Sequence, residues 1–332
     1  MRWWWIACHD LCKSYEDFMV VDFLDYNMKR VLVVGAGIKG LVTAIREHLA
    51  GNQVFVLEKR KRIGGRGTSQ ESQGYQLEHG PHLLHKGGEF HTLLKKISKV
   101  KPSLRPIRPS KVMVVGHGVL YPANNPKELL NLKMGNDPIR DSALKLISGW
   151  GADLPDRRKA LLNGDLCVVG EGWSGLVGRL AAALEEVGVP VQSGKTVVDV
   201  VERGAILSDG MQIEADEIRM CVGKSELAQT YVSTLDLILD SKPMKGLHGY
   251  VKGNVAILNI SEIHKLRGKD VTHLSCINLN CNLDEIEELL DERLSGWRSN
   301  IITKLENKKI PIYDESQKLS DGTISKTAGN SQ

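Results

Sequence analysis

Arg30-Val31-Leu32-Val33-Val34-Gly35-Ala36-Gly37-Ile38-Lys39-Gly40 is the stretch on which the architecture turns. An apolar run ending in glycines has the pattern of a strand buried on both faces of a parallel sheet. Leu41, Val42, Ile45 and Leu49 then recur at helical spacing, and Gly51-Asn52 stops the helix. Val54-Phe55-Val56-Leu57 supplies the second apolar run, so residues 30–58 predict a βαβ start. Between strand and helix, Gly35, Gly37 and Gly40 complete a GxGxxG pattern around Ala36 and Ile38. The first glycine permits a tight turn, the second lets backbone approach a pyrophosphate, and the third allows helix and strand to pack closely. The helix N-terminus presents its unpaired N–H groups to the same anion. Eighteen residues after Gly40 stands Glu58, where a carboxylate accepts hydrogen bonds from a ribose diol and repels a 2′-phosphate. The nucleotide expected is therefore NAD or FAD rather than NADP.

The next segment, Lys59-Arg60-Lys61-Arg62-Ile63-Gly64-Gly65-Arg66-Gly67-Thr68, brings a second glycine pair and an arginine. These can meet the pyrophosphate from the side opposite the helix, Arg66 by a charge-assisted contact. Read without that context, Lys59–Arg62 is a solvated basic run or a nucleic-acid patch.

With Gly35, Gly37, Gly40, Glu58, Gly64, Gly65 and Arg66 in place, the chain resembles the superfamily of FAD-dependent amine oxidases, phytoene desaturases and protoporphyrinogen oxidases. The likeness continues through Gly74–His82, with Glu78 where an aspartate is more usual. It resumes at Gly170–Gly188 and at Gly194–Val200, where the family brings the backbone of a valine, here Val197, to the adenine. It ends through Asp209-Gly210 and Glu214–Gly223.

The resemblance implies an α/β fold in which a Rossmann-like FAD-binding domain is interleaved with a reduced α+β substrate domain. The boundaries expected are 28–105 and 166–235 for the FAD-binding parts, and 106–165 and 236–313 for the substrate parts. It implies FAD held by Gly35, Ala36, Gly37, Ile38, Gly40, Glu58, Gly64, Gly65, Arg66 and Val197. The activity implied is hydride removal from a hydrophobic, isoprenoid-type substrate, with peripheral membrane contact as one route to it. Two departures keep other readings open. Fewer than fifty residues separate Tyr121-Pro122 from Gly170, so the helical roof of the substrate cavity is expected to be short. Asp321-Gly322 does not match the family's closing strand, Gly-Asp pair and helix. A non-catalytic prenyl carrier, as the Rab GDP dissociation inhibitors of related fold are, is the alternative, and a truncated, inactive relative is another. Residues 1–27 are an extension or a misassigned start, and 314–332 a polar tail.

Composition narrows the remaining classes. A length of 332 residues predicts about two domains, and 42% hydrophobic content is enough for a core. A net charge of +4 is too small to imply an electrostatic nucleic-acid binder. Thirty-three glycines against 5% aromatic residues favour close backbone approaches over stacking platforms. No apolar stretch nears the ~18 residues of a membrane-spanning helix. The apolar run Trp3–Cys8 gives way to His9-Asp10 and no small-residue cleavage site closes it, so no secretory signal is expected. The six cysteines read as reduced thiols of a cytoplasmic protein, and neither Cys8/Cys12 nor Cys276/Cys281 has metal-site spacing. No acid–base constellation stands out. His79, His82 and His85 crowd one turn, Glu78 reads as structural, and Trp173 as core.

Beyond the nucleotide motif, a helix is expected around 90–98 and a hairpin about Gly116-His117-Gly118. Weak helical patterns run over 123–165. Leu166–Val169 reads as a strand, followed by a helix with Leu176, Leu180, Leu184 and Val187 on one face and Gly188 as its stop. Strands are expected at 189–192, 197–201, 205–207, 212–222, 255–260 and 274–279, and a helix over 284–294.

Overall fold

A computed structural model describes residues 28–80, 83–87, 89–96, 101–116, 119–122, 165–222, 230–264 and 270–312. β1 (Arg30–Val34), α1 (Ile38–Leu49) and β2 (Gln53–Glu58) form the expected opening unit. The hairpin β3 (Ser69–Ser72) and β4 (Tyr75–Glu78) follows, then β5 (Leu84–His85), α2 (Glu89–Lys96) and β6 (Leu104–Pro106). β7 (Val112–Gly116) and β8 (Val119–Pro122) pair as the anticipated hairpin. After β9 (Leu166–Val169), α3 (Gly172–Glu186) and β10 (Val191–Ser193) comes a meander of β11 (Val197–Val201), β12 (Gly204–Leu207) and β13 (Gln212–Glu214). β14 (Glu217–Met220) closes this half. The second half comprises β15 (Thr230–Leu239), β16 (Gly249–Lys252), β17 (Val255–Asn259), α4 (Ile260–Ile263), β18 (Thr272–Asn278), α5 (Leu283–Arg293) and β19 (Ile301–Ile312).

β10, β2, β1 and β14 form a four-stranded parallel sheet in that order. Side chains alternate across it. Val31 and Val33 pack with Leu41, Ile45, Leu176 and Leu180 of α1 and α3, whereas Leu32, Val34 and Leu57 pack against Ala205 and Leu207 of the meander. Cover on both faces is the reason β1 reads as an unbroken apolar run. At the far ends of the two helices the pattern stops mattering: Leu49 and Val187, expected on buried faces, are 56% and 47% exposed. Gly51 and Gly188 end these helices with positive φ, as their type allows.

The second body is a seven-stranded sheet in the order β19-β15-β18-β17-β16-β7-β8. One face carries Leu235, Leu237, Ile257 and Leu274 under Ile286, Leu289 and Leu290 of α5. On the other, Val112, Val114, Leu258 and Ile277 meet Leu166 and Val168 of β9, which pairs with β5 and β6 in a small sheet of its own. That shared core joins the seven-stranded sheet to the small sheet, whose β9 leads into α3.

Three expectations need correction or extension. Residues 212–222 form two strands in two sheets, not one. The chain breaks at Ala215-Asp216, where the Asp216 carboxylate accepts the Arg30 N–H at 2.7 Å, and only β14 joins β1. β15 runs through residues 235–236, where the change of domain was expected, and belongs along its described length to the seven-stranded sheet. β15 and β19 themselves were not anticipated, because Ser233, Thr234 and Asp236 interrupt one strand and Lys304, Glu306 and Lys308 the other. The patterns expected over 1–27, 123–164 and 314–332, and Cys8 and Cys12, lie outside the described residues.

Candidate functional site

The two glycine motifs meet at the C-terminal end of β1. Gly35 turns the chain with φ +100°, and its N–H donates to Leu57 O at 2.7 Å, tying the turn to β2. A Cβ on Gly35 would come within 2.9 Å of Val222 Cγ1, and one on Gly40 within 1.7 Å of Gly35 O. Both positions are therefore glycine because of the protein's own packing. Gly37 differs. It is the N-cap of α1, in extended backbone, with no side-chain cap and no acidic residue in the first turn, and a Cβ there would meet nothing nearer than Gly65 Cα at 4.0 Å.

The GGR loop comes to this spot by backbone pairing. Gly64 N–H donates to Ala36 O at 2.7 Å, and Gly37 bridges Gly64 in parallel. Gly64 and Gly65 both hold positive φ, 105° and 57°, and Thr68 Oγ1 donates to Gly65 O at 2.8 Å, closing the turn. Arg66 is exposed on that turn. Glu58 is pinned between the two loops. Its Oε2 accepts Ala36 N–H at 2.8 Å and its Oε1 accepts Arg60 N–H at 2.9 Å. Lys195 N–H donates to Glu58 O at 2.9 Å and Gly194 N–H to Arg60 O at 3.0 Å. Val197, at the start of β11 and two residues beyond this bond, packs half-buried against the cluster that contains Leu57 and Leu207.

The structure thus brings Gly35, Ala36, Gly37, Ile38, Gly40, Glu58, Gly64, Gly65, Arg66 and Val197 into one neighbourhood. Its chemistry fits an adenosine diphosphate moiety. Gly37 leaves room that a Cβ would fill, Gly65 approaches so closely that its own Cβ would come within 3.2 Å of Gly37 Cα, an uncapped helix N-terminus borders the spot, and each Glu58 oxygen retains lone-pair capacity for a ribose hydroxyl.

Behind this cradle lies a buried polar link that sequence reasoning did not find. Glu78 Oε1 accepts Trp173 N–H at the start of α3 at 2.9 Å, and Glu78 N–H donates to Asp236 Oδ2 at 2.7 Å. The same oxygen accepts from His273 Nε2 at 2.7 Å. Asp236 and His273 are fully buried. Glu78 is structural, as expected, and Trp173 is packed against the α1–α3 core. His79 contacts Asn307 Oδ1 at 3.2 Å through Nδ1, whereas His82 lies outside the described residues. The cysteines near the sheets are inert thiols: burial pushes Cys167 up to about 11 and raises Cys221 and Cys276.

The profile of the NAD(P)-binding Rossmann-like domain matches residues 33–97. A lycopene-forming phytoene desaturase of Pantoea ananas is 32% identical over 117 residues, 34% of this chain and 24% of the desaturase. The matched stretch is thus about a quarter of that relative's length. Likeness of fold extends much further. The PF1083 protein of Pyrococcus furiosus superposes with a TM-score of 0.66 at 20% identity, over 84% of this chain and 88% of that one. Rab GDI of Plasmodium falciparum superposes with a TM-score of 0.57 at 13% identity, over 84% and 88% of the two chains. The chain carries an NAD(P)-binding Rossmann-like domain, is similar over part of its length to phytoene desaturases, and shares the α/β fold of the PF1083 protein.

Proposed function

We propose that this chain binds FAD and is an FAD-dependent oxidoreductase that removes hydride from a hydrophobic substrate of carotenoid or isoprenoid type. The observation that carries this reading is the pairing of Gly37 with Gly64, which brings the second glycine turn beside the N-terminus of α1. The relationship to phytoene desaturases supports the substrate class. Bound in the cradle, FAD supplies a two-electron acceptor. The N–H groups at the start of α1 hold the pyrophosphate charge, Glu58 accepts from the ribose diol, and Arg66 neutralises from the other side. The Gly194–Val197 segment, fixed to Glu58 and Arg60, walls the adenine position. Every one of these tasks is binding and orientation.

Purified protein incubated with FAD and desalted is expected to be yellow, to bleach with a reductant, and to regain colour with an acceptor. Arg66→Ala should weaken FAD binding by roughly 1.5–3 kcal/mol, the worth of a charge-assisted hydrogen bond, or about 10- to 150-fold. Protein that stays colourless at saturating FAD would sink the proposal.

A second reading is a non-catalytic carrier of lipid or prenyl groups, favoured by the superposition on Rab GDI. It predicts retention of a prenylated peptide by flavin-free protein, with no flavin bleaching.

A further inference from the structure

β19 runs for 12 residues at one end of the seven-stranded sheet, about twice the average strand length. One side of it pairs with β15, and among the described residues no strand pairs with the other side. Such an edge holds a row of backbone N–H and C=O groups that can receive a further strand. Charged side chains commonly blunt an edge, and Lys304, Glu306, Lys308 and Lys309 are exposed along this one. Their order decides what the edge can accept. Lys304 stands opposite Leu237 and Glu306 opposite Leu235, so both lie on the face that α5 covers, where they form an ion pair with each other. Leu305, opposite Asp236, lies on the other face.

A two-fold axis through an antiparallel pair of identical strands sets the same residues against each other in reverse order. Centred on Leu305, it opposes Lys304 to Glu306 of the second copy and Glu306 to Lys304, with Thr303 facing Asn307 and Leu305 facing itself. Centred on Lys304 or on Glu306, it opposes like charges, which disfavours pairing. Centred on Asn307, it sets Leu305 against Lys309 and brings Pro311, which has no N–H to donate, into the ladder. Of these four registers, only the one at Leu305 both opposes unlike charges twice and ends short of Pro311.

We propose that the free edge of β19 receives a second copy of this chain, pairing antiparallel along residues 301–309 with the two-fold axis at Leu305, so that the seven-stranded sheet continues into its copy. The order of charges selects a second copy over an unrelated strand, because the sequence complements itself in that register. A flavin takes no part in this pairing, so its test is independent of the oxidoreductase reading.

The test is sedimentation velocity of the full chain at low salt with charge-swap variants, each checked for wild-type circular dichroism. The wild type is expected to sediment as a dimer. Lys304→Glu opposes carboxylate to carboxylate at both sites and Glu306→Lys opposes ammonium to ammonium, so each should raise the dissociation constant at least ~10-fold. Lys304→Glu/Glu306→Lys restores unlike pairs and should bring the constant back to within about threefold of wild type. In a second measurement, carbodiimide coupling of an equilibrated mixture of isotopically heavy and light wild-type chains should yield Lys304–Glu306 links with one heavy and one light member. A wild type that stays monomeric at ~100 μM overturns the proposal. So does a dimer that survives both single swaps, a double swap that stays as weak as the singles, or coupling found only within chains.

Discussion

Gly35, Gly37 and Gly40 are written alike but are glycine for different reasons. Gly40 has no room, since a Cβ would sit 1.7 Å from Gly35 O. Gly40→Ala should therefore push α1 off β1, at the ~1–3 kcal/mol typical of overpacking, and lower the denaturation midpoint. Gly37 has room in the folded protein and faces the gap opposite Gly65. Gly37→Ala should leave the melting temperature within ~2 °C of wild type while abolishing FAD binding, measured by fluorescence quenching. A loss of stability in Gly37→Ala equal to that in Gly40→Ala would show that the gap is packing space instead of a ligand position. The motif already assigns ligand approach to Gly37 and close packing to Gly40, and the structure adds the distances that set the two apart, 4.0 Å against 1.7 Å.

Among the elements, β15 carries the buried polar link that ties β4 to the second sheet. Asp236 accepts from Glu78 N–H and His273 Nε2 in a fully buried position. Asp236→Ala should leave both donors unpaired and cost about 3–5 kcal/mol, read as a shift in urea midpoint. Neither β15 nor Asp236 was legible in the sequence. An aspartate in a short apolar stretch looks like a surface residue until its partners, 158 and 37 positions away, are in place. By contrast β1, α1 and β2 were legible, because each element's burial pattern repeats within a few residues. His248 gives β16 a pH response. Its Nδ1 accepts Arg108 N–H at 2.9 Å, and burial, then the cations Lys111 and Arg108, push its pKa down from 6.5 to about 4. The folded state thus holds it neutral while the unfolded chain takes up a proton. Stability present above pH 6.5 should be lost as pH falls toward 4 and level off below, by at most ~3 kcal/mol. Melting curves of the wild type and His248→Asn across pH 4–7 should diverge, the variant being the flatter.

For the chain as a unit, ligand linkage offers a direct test of nucleotide choice. Free FAD at 100 times its dissociation constant stabilises by ~2.7 kcal/mol, which is a rise in melting temperature of about 5 °C for a chain of this length. NADP, whose 2′-phosphate meets the Glu58 carboxylate, should produce no rise. A larger rise with NADP than with FAD would overturn the assignment of Glu58 to the ribose diol. The two-body organisation frames this expectation. The cradle belongs to the parallel sheet, and the seven-stranded sheet reaches it through the β9 core and the Glu78–Asp236 link.

The nucleotide cradle was readable from residues 30–68 because its requirements are local. A strand buried on both faces, a turn with positive φ and an uncapped helix N-terminus each leave their mark on adjacent residues. The direct backbone pairing of Gly37 with Gly64 came from the fold, which brings together two motifs that the sequence offered only as two sides of one pyrophosphate site. Folding alone settled the split of residues 212–222 between two sheets, the long strands β15 and β19, and the buried Glu78–Asp236–His273 link. These depend on register between segments far apart in sequence, where a polar residue such as Asp236 becomes an interior one only once its hydrogen-bond partners arrive.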